Sequence, residues 1–139
     1  SFKLKILNEV ELNEVAKGLL DGAVAKLFDV IADDYDDWIL QLRLKFREQT
    51  SDKVDIQRTA EASEFKSKLS VAKGKKYWKI IADNSCWGFI VATSDDKLFK
   101  KGDILKSAGW SKPARNAPRG NILDGNFTGV RWTGPAYLR

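Results

Sequence analysis

Histidine and methionine are missing from this chain, cysteine occurs once, at Cys86, and proline three times. Without histidine the protein lacks the commonest general base near neutral pH and the commonest transition-metal ligand. A single cysteine forms no internal disulfide and, with no histidine beside it, cannot complete a Cys/His zinc site. Nor does Cys86 have an imidazole to activate it. It sits in an apolar, strand-like run, where a structural thiol is expected. Long apolar runs are also absent, so no membrane-spanning helix is predicted. The opening residues 1–7 are short, mixed and charged, which does not resemble a secretion signal. A cytoplasmic, non-secreted protein is expected. No phosphate-cradling glycine loop occurs, because Lys73-Gly74-Lys75-Lys76 has no glycine at the required upstream spacing. These absences predict a protein that is not an enzyme and carries no cofactor and no metal. The remaining catalytic option is a carboxylate-dependent hydrolase using Asp83, Asp95, Asp96, Asp103 or Asp124. Four of those five fall in predicted turns, where aspartate serves the backbone.

Glutamate is missing from the whole second half: none follows Glu64. Residues 1–72 hold 11 Lys/Arg against 14 Asp/Glu, a net of −3, whereas residues 73–139 hold 13 Lys/Arg against 5 Asp, a net of +8. Such asymmetry predicts two regions, a helical one over 1–72 and a basic β-rich module over 73–139. The second suits an anionic partner, although a charged surface also simply keeps a small protein soluble.

What is present is strongly patterned. Leu12, Val15, Leu19, Leu20, Val24, Leu27, Phe28 and Ile31 recur at three- and four-residue spacing, an amphipathic helix that must pack against something. Gly18 and Gly22 lie one turn apart on it, suited to close backbone approach or merely tolerated. Asp33, Asp34, Asp36 and Asp37 flank Tyr35. Their spacing fits no EF-hand loop and predicts a turn followed by the acidic N-terminus of a second helix. Residues 38–48 alternate like a strand and also stripe like a helix. Their Leu, Gln, Arg, Lys and Glu content favours helix, paired with the first as a hairpin. A weaker third helix is predicted over 54–72. Tyr77 to Ala82 and Cys86 to Thr93 read as a β-hairpin around the turn cluster Asp83-Asn84-Ser85. Ser107 to Asp124 reads as a long ordered loop, with closing strands at Val130 to Thr133 and Ala136 to Leu138.

The second half also interleaves cations with aromatics. Lys75, Lys76 and Lys79 accompany Tyr77 and Trp78; Lys106, Lys112, Arg115 and Arg119 accompany Trp110; Arg131 accompanies Trp132 and Tyr137. Single-stranded nucleic acid needs both kinds of group, cations to track phosphates and flat rings for bases to stack on. The nucleic-acid-binding candidates are therefore Lys75, Lys76, Lys79, Lys106, Trp110, Lys112, Arg115, Arg119 and Arg131. Trp78 and Trp87, set among apolar neighbours, are expected in the core. Trp110, in a loop, is the best candidate for an exposed ring.

The run KGDILKSAGWSKPARNAPRGNILD, from Lys101 to Asp124, resembles small uncharacterised proteins of tailed phages, including phages of marine and cyanobacterial hosts. The shared steps are Gly102 to Lys106, Gly109-Trp110, Pro113-Ala114, and Arg119 to Ile122 with Asp124. The ending VRWTGPAYLR and the strand WGFIV are similar as well. This resemblance covers residues 75–139 and none of the helical part. It implies a phage-encoded accessory protein acting in a host cytoplasm, with the helices as a tether or a means of homo-oligomerisation.

Together these readings predict an α+β protein, with an N-terminal helical hairpin and a third helix followed by a small antiparallel β-barrel or sheet. The leading expectation is a module that binds nucleic acid or another polyanion. The rival is a protein-interaction role, as an inhibitor of a host protein or a minor virion component.

Overall fold

The computed structural model describes residues 9–46 and 63–137. Its class is α+β. Helix α1 spans Glu9–Phe46, a short helical turn follows at 63–67, and eight strands complete the chain. They are β1 (Leu69–Lys73), β2 (Tyr77–Ala82), β3 (Ser85–Val91), β4 (Ile104–Leu105), β5 (Ser107–Gly109), β6 (Lys112–Pro113), β7 (Val130–Arg131) and β8 (Gly134–Pro135).

The predicted helical hairpin is instead one continuous helix of 38 residues, about 57 Å long at 1.5 Å per residue. The acidic residues 33–37 do not form a turn. Each aspartate costs the helix well under 1 kcal/mol, roughly, and tertiary contacts override so small a preference. Asp34 Oδ2 accepts the backbone N–H of Trp132 at 2.8 Å, and Tyr35 stacks on Phe65. The helix therefore runs on until Phe46, which settles 38–46 as helical. Of the predicted third helix, 54–62 lies outside the described residues and 63–67 is helical. Leu69 to Ala72 are strand β1, which pairs with β2 from Leu69↔Ala82 to Lys73↔Trp78. The expected domain boundary after residue 72 thus falls inside a strand. Gly18 and Gly22 support no close approach, since a Cβ at either would meet nothing within 4 Å.

Strands β1-β2-β3-β4 form one antiparallel sheet in that order, and β5-β6 and β7-β8 are separate two-stranded ribbons. The sheets do not close into a barrel. The predicted hairpin stands as β2 and β3, turning at Asp83, whose φ of +56° is tolerable for aspartate. A bulge between Ile80 and Ile81 shifts the register from Ile80↔Gly88 to Ile81↔Cys86. Glycine is required at 88: a Cβ there would lie 2.9 Å from the Leu105 carbonyl oxygen and 2.9 Å from Pro135 Cγ.

Alternation along the strands gives the sheet two apolar faces. One packs on α1: Leu20, Val24, Leu27 and Ile31 meet Leu69, Trp78, Ile80, Trp87 and Ile90, with Ile122 and Val130 from the C-terminal loops. The helix and the basic module are thus one packed body. Asp21 pairs with Lys73 at 2.5 Å and Asp29 pairs with Lys66, so part of the acidity of α1 is matched where it docks. The other face carries a smaller cluster, Phe89, Val91, Phe99 and Leu105, with Tyr77 and Cys86 at its edge. Trp78 and Trp87 are buried, as their neighbours in sequence suggest, and the Trp87 indole N–H donates to Arg131 O at 2.8 Å.

The long loop is ordered around one side chain. Asn121 donates to Asp103 Oδ1 and to the Lys101 carbonyl, both at 2.9 Å, while its Oδ1 accepts the N–H groups of Leu123 and Asp124. Buried amides of this kind are stable only when fully partnered, and this one is.

Candidate nucleic-acid interface

The outer sheet face, away from α1, exposes the first three candidate cations. Alternation on β2 puts Tyr77 and Lys79 on this face, while the β1–β2 turn at Gly74 carries Lys75 and Lys76. Hairpin β5–β6 arches over the same side with Trp110 and Ser111 at its tip. There the Trp110 ring stays 53% exposed, and Lys79 Nζ sits 4.2 Å from its centroid, a cation–π contact.

Two depressions run along this face. One, of about 390 Å³, is lined by Lys73, Lys75, Lys76, Lys79 and Ser111, and among the described residues no carboxylate lines it. The other, of about 460 Å³, is lined by Thr93, Asp95, Asp96, Lys97 and Arg115, and it too has Lys75 and Lys76 on its wall. Sharing those two lysines, they form one basic groove. Lys112 stands exposed on β6, opposite Gly109.

Arg115 lies in the groove but is committed to the fold. Its Nη1 and Nη2 reach Asp96 Oδ2 and Oδ1 at 2.9 and 3.0 Å, its Nη1 also donates to the Tyr77 hydroxyl, and its guanidinium covers Phe99 at 4.9 Å. Asp96 also accepts the N–H groups of Leu98 and Phe99. The Arg115 hydrogen bond first, and then that of Leu98, hold the Asp96 carboxyl well below the usual carboxylate range. Asp96 in turn raises the pKa of Arg115. Lys76 Nζ lies 3.8 Å from the same carboxylate.

The other candidates are not brought to the groove. Arg119 is buried, donating from Nε to Ala136 O at 3.0 Å and from Nη1 to Asn116 Oδ1 and Ala117 O at 2.7 and 2.8 Å. Burial pushes its pKa down. A guanidinium spent on backbone carbonyls in this way cannot also bind a phosphate. Lys106 donates to Pro135 O at 2.9 Å and lies over the Tyr137 ring; burial first, and the nearby Arg119 second, lower its pKa. Arg131 Nη1 donates to Thr128 O and Val130 O. Lys106 and Arg131 instead share a smaller hollow beside Gly134 and Tyr137.

Lys73 and Lys97 join the groove although sequence reasoning passed over both. The sequence presents Lys73 only as the start of the basic module and does not single out Lys97. The signal that could have found Lys97 is its place directly after Asp95-Asp96, the turn that Arg115 anchors. Of the candidate catalytic carboxylates, Asp96 is held by Arg115, Asp103 by Asn121 and the Lys100 N–H, and Asp124 by Lys100 at 2.5 Å. Among the described residues no group of three His, Cys, Asp or Glu side chains is placed to hold a metal ion. No helix is long and apolar enough to cross a membrane, again among the described residues.

Comparison with known families adds one finding. The pattern of a family of unknown function, DUF7717, matches residues 22–137. The chain belongs to DUF7717. This match covers far more than the 75–139 of the phage resemblance. It takes in most of α1, so the acidic residues 33–37 and the helix–sheet packing lie inside the DUF7717 pattern. Neither a curated protein nor a solved structure matches the chain.

Proposed function

We propose that this DUF7717 chain is a non-enzymatic binding module for polyanions, with single-stranded nucleic acid as the class that best suits it. One observation carries the reading: two depressions that share Lys75 and Lys76 set Lys79 and Lys97 along one side of the sheet, with Asp95 and Asp96 on the wall of one of them, and hairpin β5–β6 hangs an open tryptophan face over the same side. Cations along a track follow phosphates without reading sequence, and an exposed ring accepts any base. Lys79 occupies one face of Trp110, so the ring offers a single stacking face. On the resemblance of its 101–124 loop, we take the protein to be a phage-encoded accessory factor acting in a bacterial cytoplasm.

Fluorescence-anisotropy titration with labelled single-stranded and duplex DNA and RNA, at low and moderate salt, tests the reading. Salt-sensitive binding that favours single strands supports it. No binding at low salt overturns it.

A second reading has its own observation. Helix α1 leaves Leu19, Trp38 and Leu44 exposed at 64%, 42% and 57%, which favours a protein partner or a second copy on the helix. Sedimentation of a clean monomer across micromolar concentrations would remove the second copy.

A further inference from the structure

On the face that carries α1, four segments converge on a cavity of about 490 Å³. They are the Tyr35–Trp38 turn of α1, the 63–67 helical turn, the β2–β3 turn and the β7–β8 turn. Five aromatic side chains, Tyr35, Trp38, Phe65, Trp87 and Trp132, line it. Tyr35 stacks on Phe65 with centroids 4.3 Å apart, Trp132 meets Trp38 at 4.8 Å, and Tyr35 meets Trp132 edge-on at 5.3 Å. Rings packed this well would ordinarily close over one another, yet Trp38 keeps two-fifths of its surface open.

The charge at this cavity runs against that of the molecule. The chain carries a net +5, but among the described residues the one cation lining the cavity, Lys68, is partnered by Glu64 at 3.9 Å. Two carboxylates remain: Asp83, on the wall at the hairpin tip, and Asp34, whose Oδ2 accepts the N–H of the wall residue Trp132 at 2.8 Å. Electron-rich ring faces beside carboxylates favour a cation whose charge is spread over methyl groups, because such a cation loses little hydration on entering. Nucleic acid is repelled by the same arrangement, so this site is separate from the proposed groove.

We propose that the cavity is a site for an organic cation of the quaternary-ammonium kind, seated against Trp38 and Trp132 with Asp83 as its counter-charge. Two sources offer this chemistry: a free choline-like small molecule, or a methylated lysine side chain of a partner protein. Aromatic sites of this type discriminate by charge, and about tenfold is the expected margin over an uncharged molecule of the same shape.

The test titrates the whole chain with choline and with its neutral isostere 3,3-dimethylbutan-1-ol, following tryptophan fluorescence and indole N–H shifts. Choline should bind about tenfold more tightly, and Asp83→Asn should erase most of that margin. Asparagine keeps the positive φ that the turn demands, so this variant holds the fold. Trp38→Ala should abolish binding of both compounds, with circular dichroism confirming that it folds. A trimethyl-lysine peptide and its unmethylated form make the second arm: a tighter methylated peptide assigns the site to a protein partner, and a tighter choline assigns it to the free molecule. Equal binding of choline and the neutral isostere overturns the proposal. So does the absence of any response to either cation in folded protein. Loss of nucleic-acid binding in groove variants leaves all these outcomes unchanged, so the two readings fail separately.

Discussion

Salt dependence separates the groove from the remaining basic residues. Four of its neighbouring cations, Lys75, Lys79, Lys97 and Lys112, make no ion pair with any carboxylate among the described residues. Each phosphate neutralised on a single strand contributes about 0.7 to the slope of log affinity against log salt. Four contacts predict a slope of about −2.8, or roughly a 50-fold loss of affinity between about 50 and 200 mM salt. The double variant Lys75→Ala/Lys79→Ala removes two contacts, so its slope should fall to about −1.4 and its loss over the same range to roughly sevenfold. Lys106→Ala/Arg131→Ala removes the same formal charge from outside the groove and should leave the slope near its original value. Anisotropy titrations of one labelled oligonucleotide at four salt concentrations measure all three slopes. Equal flattening in the two double variants would refute the reasoning, because binding would then follow net charge and not the track.

Three further outcomes follow from the packing. Trp110→Ala should weaken single-strand binding by roughly 5- to 150-fold, the worth of about 1–3 kcal/mol for one stacked base, without moving the thermal midpoint, since the residue is half exposed. Arg119→Ala strips charged donors from two carbonyls and Asn116; it should cost about 2–3 kcal/mol in a denaturant melt and leave affinity for nucleic acid intact. The Asp96–Arg115 latch has a defined pH signature. Its carboxyl titrates lower in the folded chain than in the unfolded one, so its stabilisation is present above the unfolded value near pH 4 and drains away as the pH falls below it. The gap in denaturant midpoint between wild type and Asp96→Asn should stay constant from about pH 5 to 8 and narrow progressively below about pH 4; a gap as wide at about pH 2.5 as at about pH 6 refutes the latch.

Local chemistry made some of this architecture legible in advance, and long-range contact made the rest illegible. The β2–β3 hairpin was readable because a two-residue turn, alternating Ile and Trp, and Asp83 all act within a dozen residues. The continuity of α1 was not. What holds residues 33–37 helical is Trp132, 98 positions away from Asp34. Leu69 to Ala72 read as a helix end because nothing in the run itself shows that it pairs with β2, and that pairing is what makes it a strand. At the groove, Lys75, Lys76, Lys79 and the open Trp110 could be picked from composition and position. Arg115 and Arg119 could not be told from them, because both are basic residues in the same loop. Only the fold shows that one clamps Asp96 and the other lies buried beneath the C-terminal segment.

The dependence of α1 on residue 130 and its neighbours has a consequence for biosynthesis. Leu20, Val24, Leu27 and Ile31 leave the ribosome about a hundred residues before Val130, which completes their cover. At translation rates of about 5–20 residues per second, the cover of the stripe stays incomplete for roughly 5–20 s, far longer than a helix needs to form. A nascent chain therefore carries the apolar stripe of residues 20–31 without its full cover until the β7–β8 ribbon follows. Interruptions late in the message, in the stretch coding for the β7–β8 ribbon, would release the species most prone to aggregate.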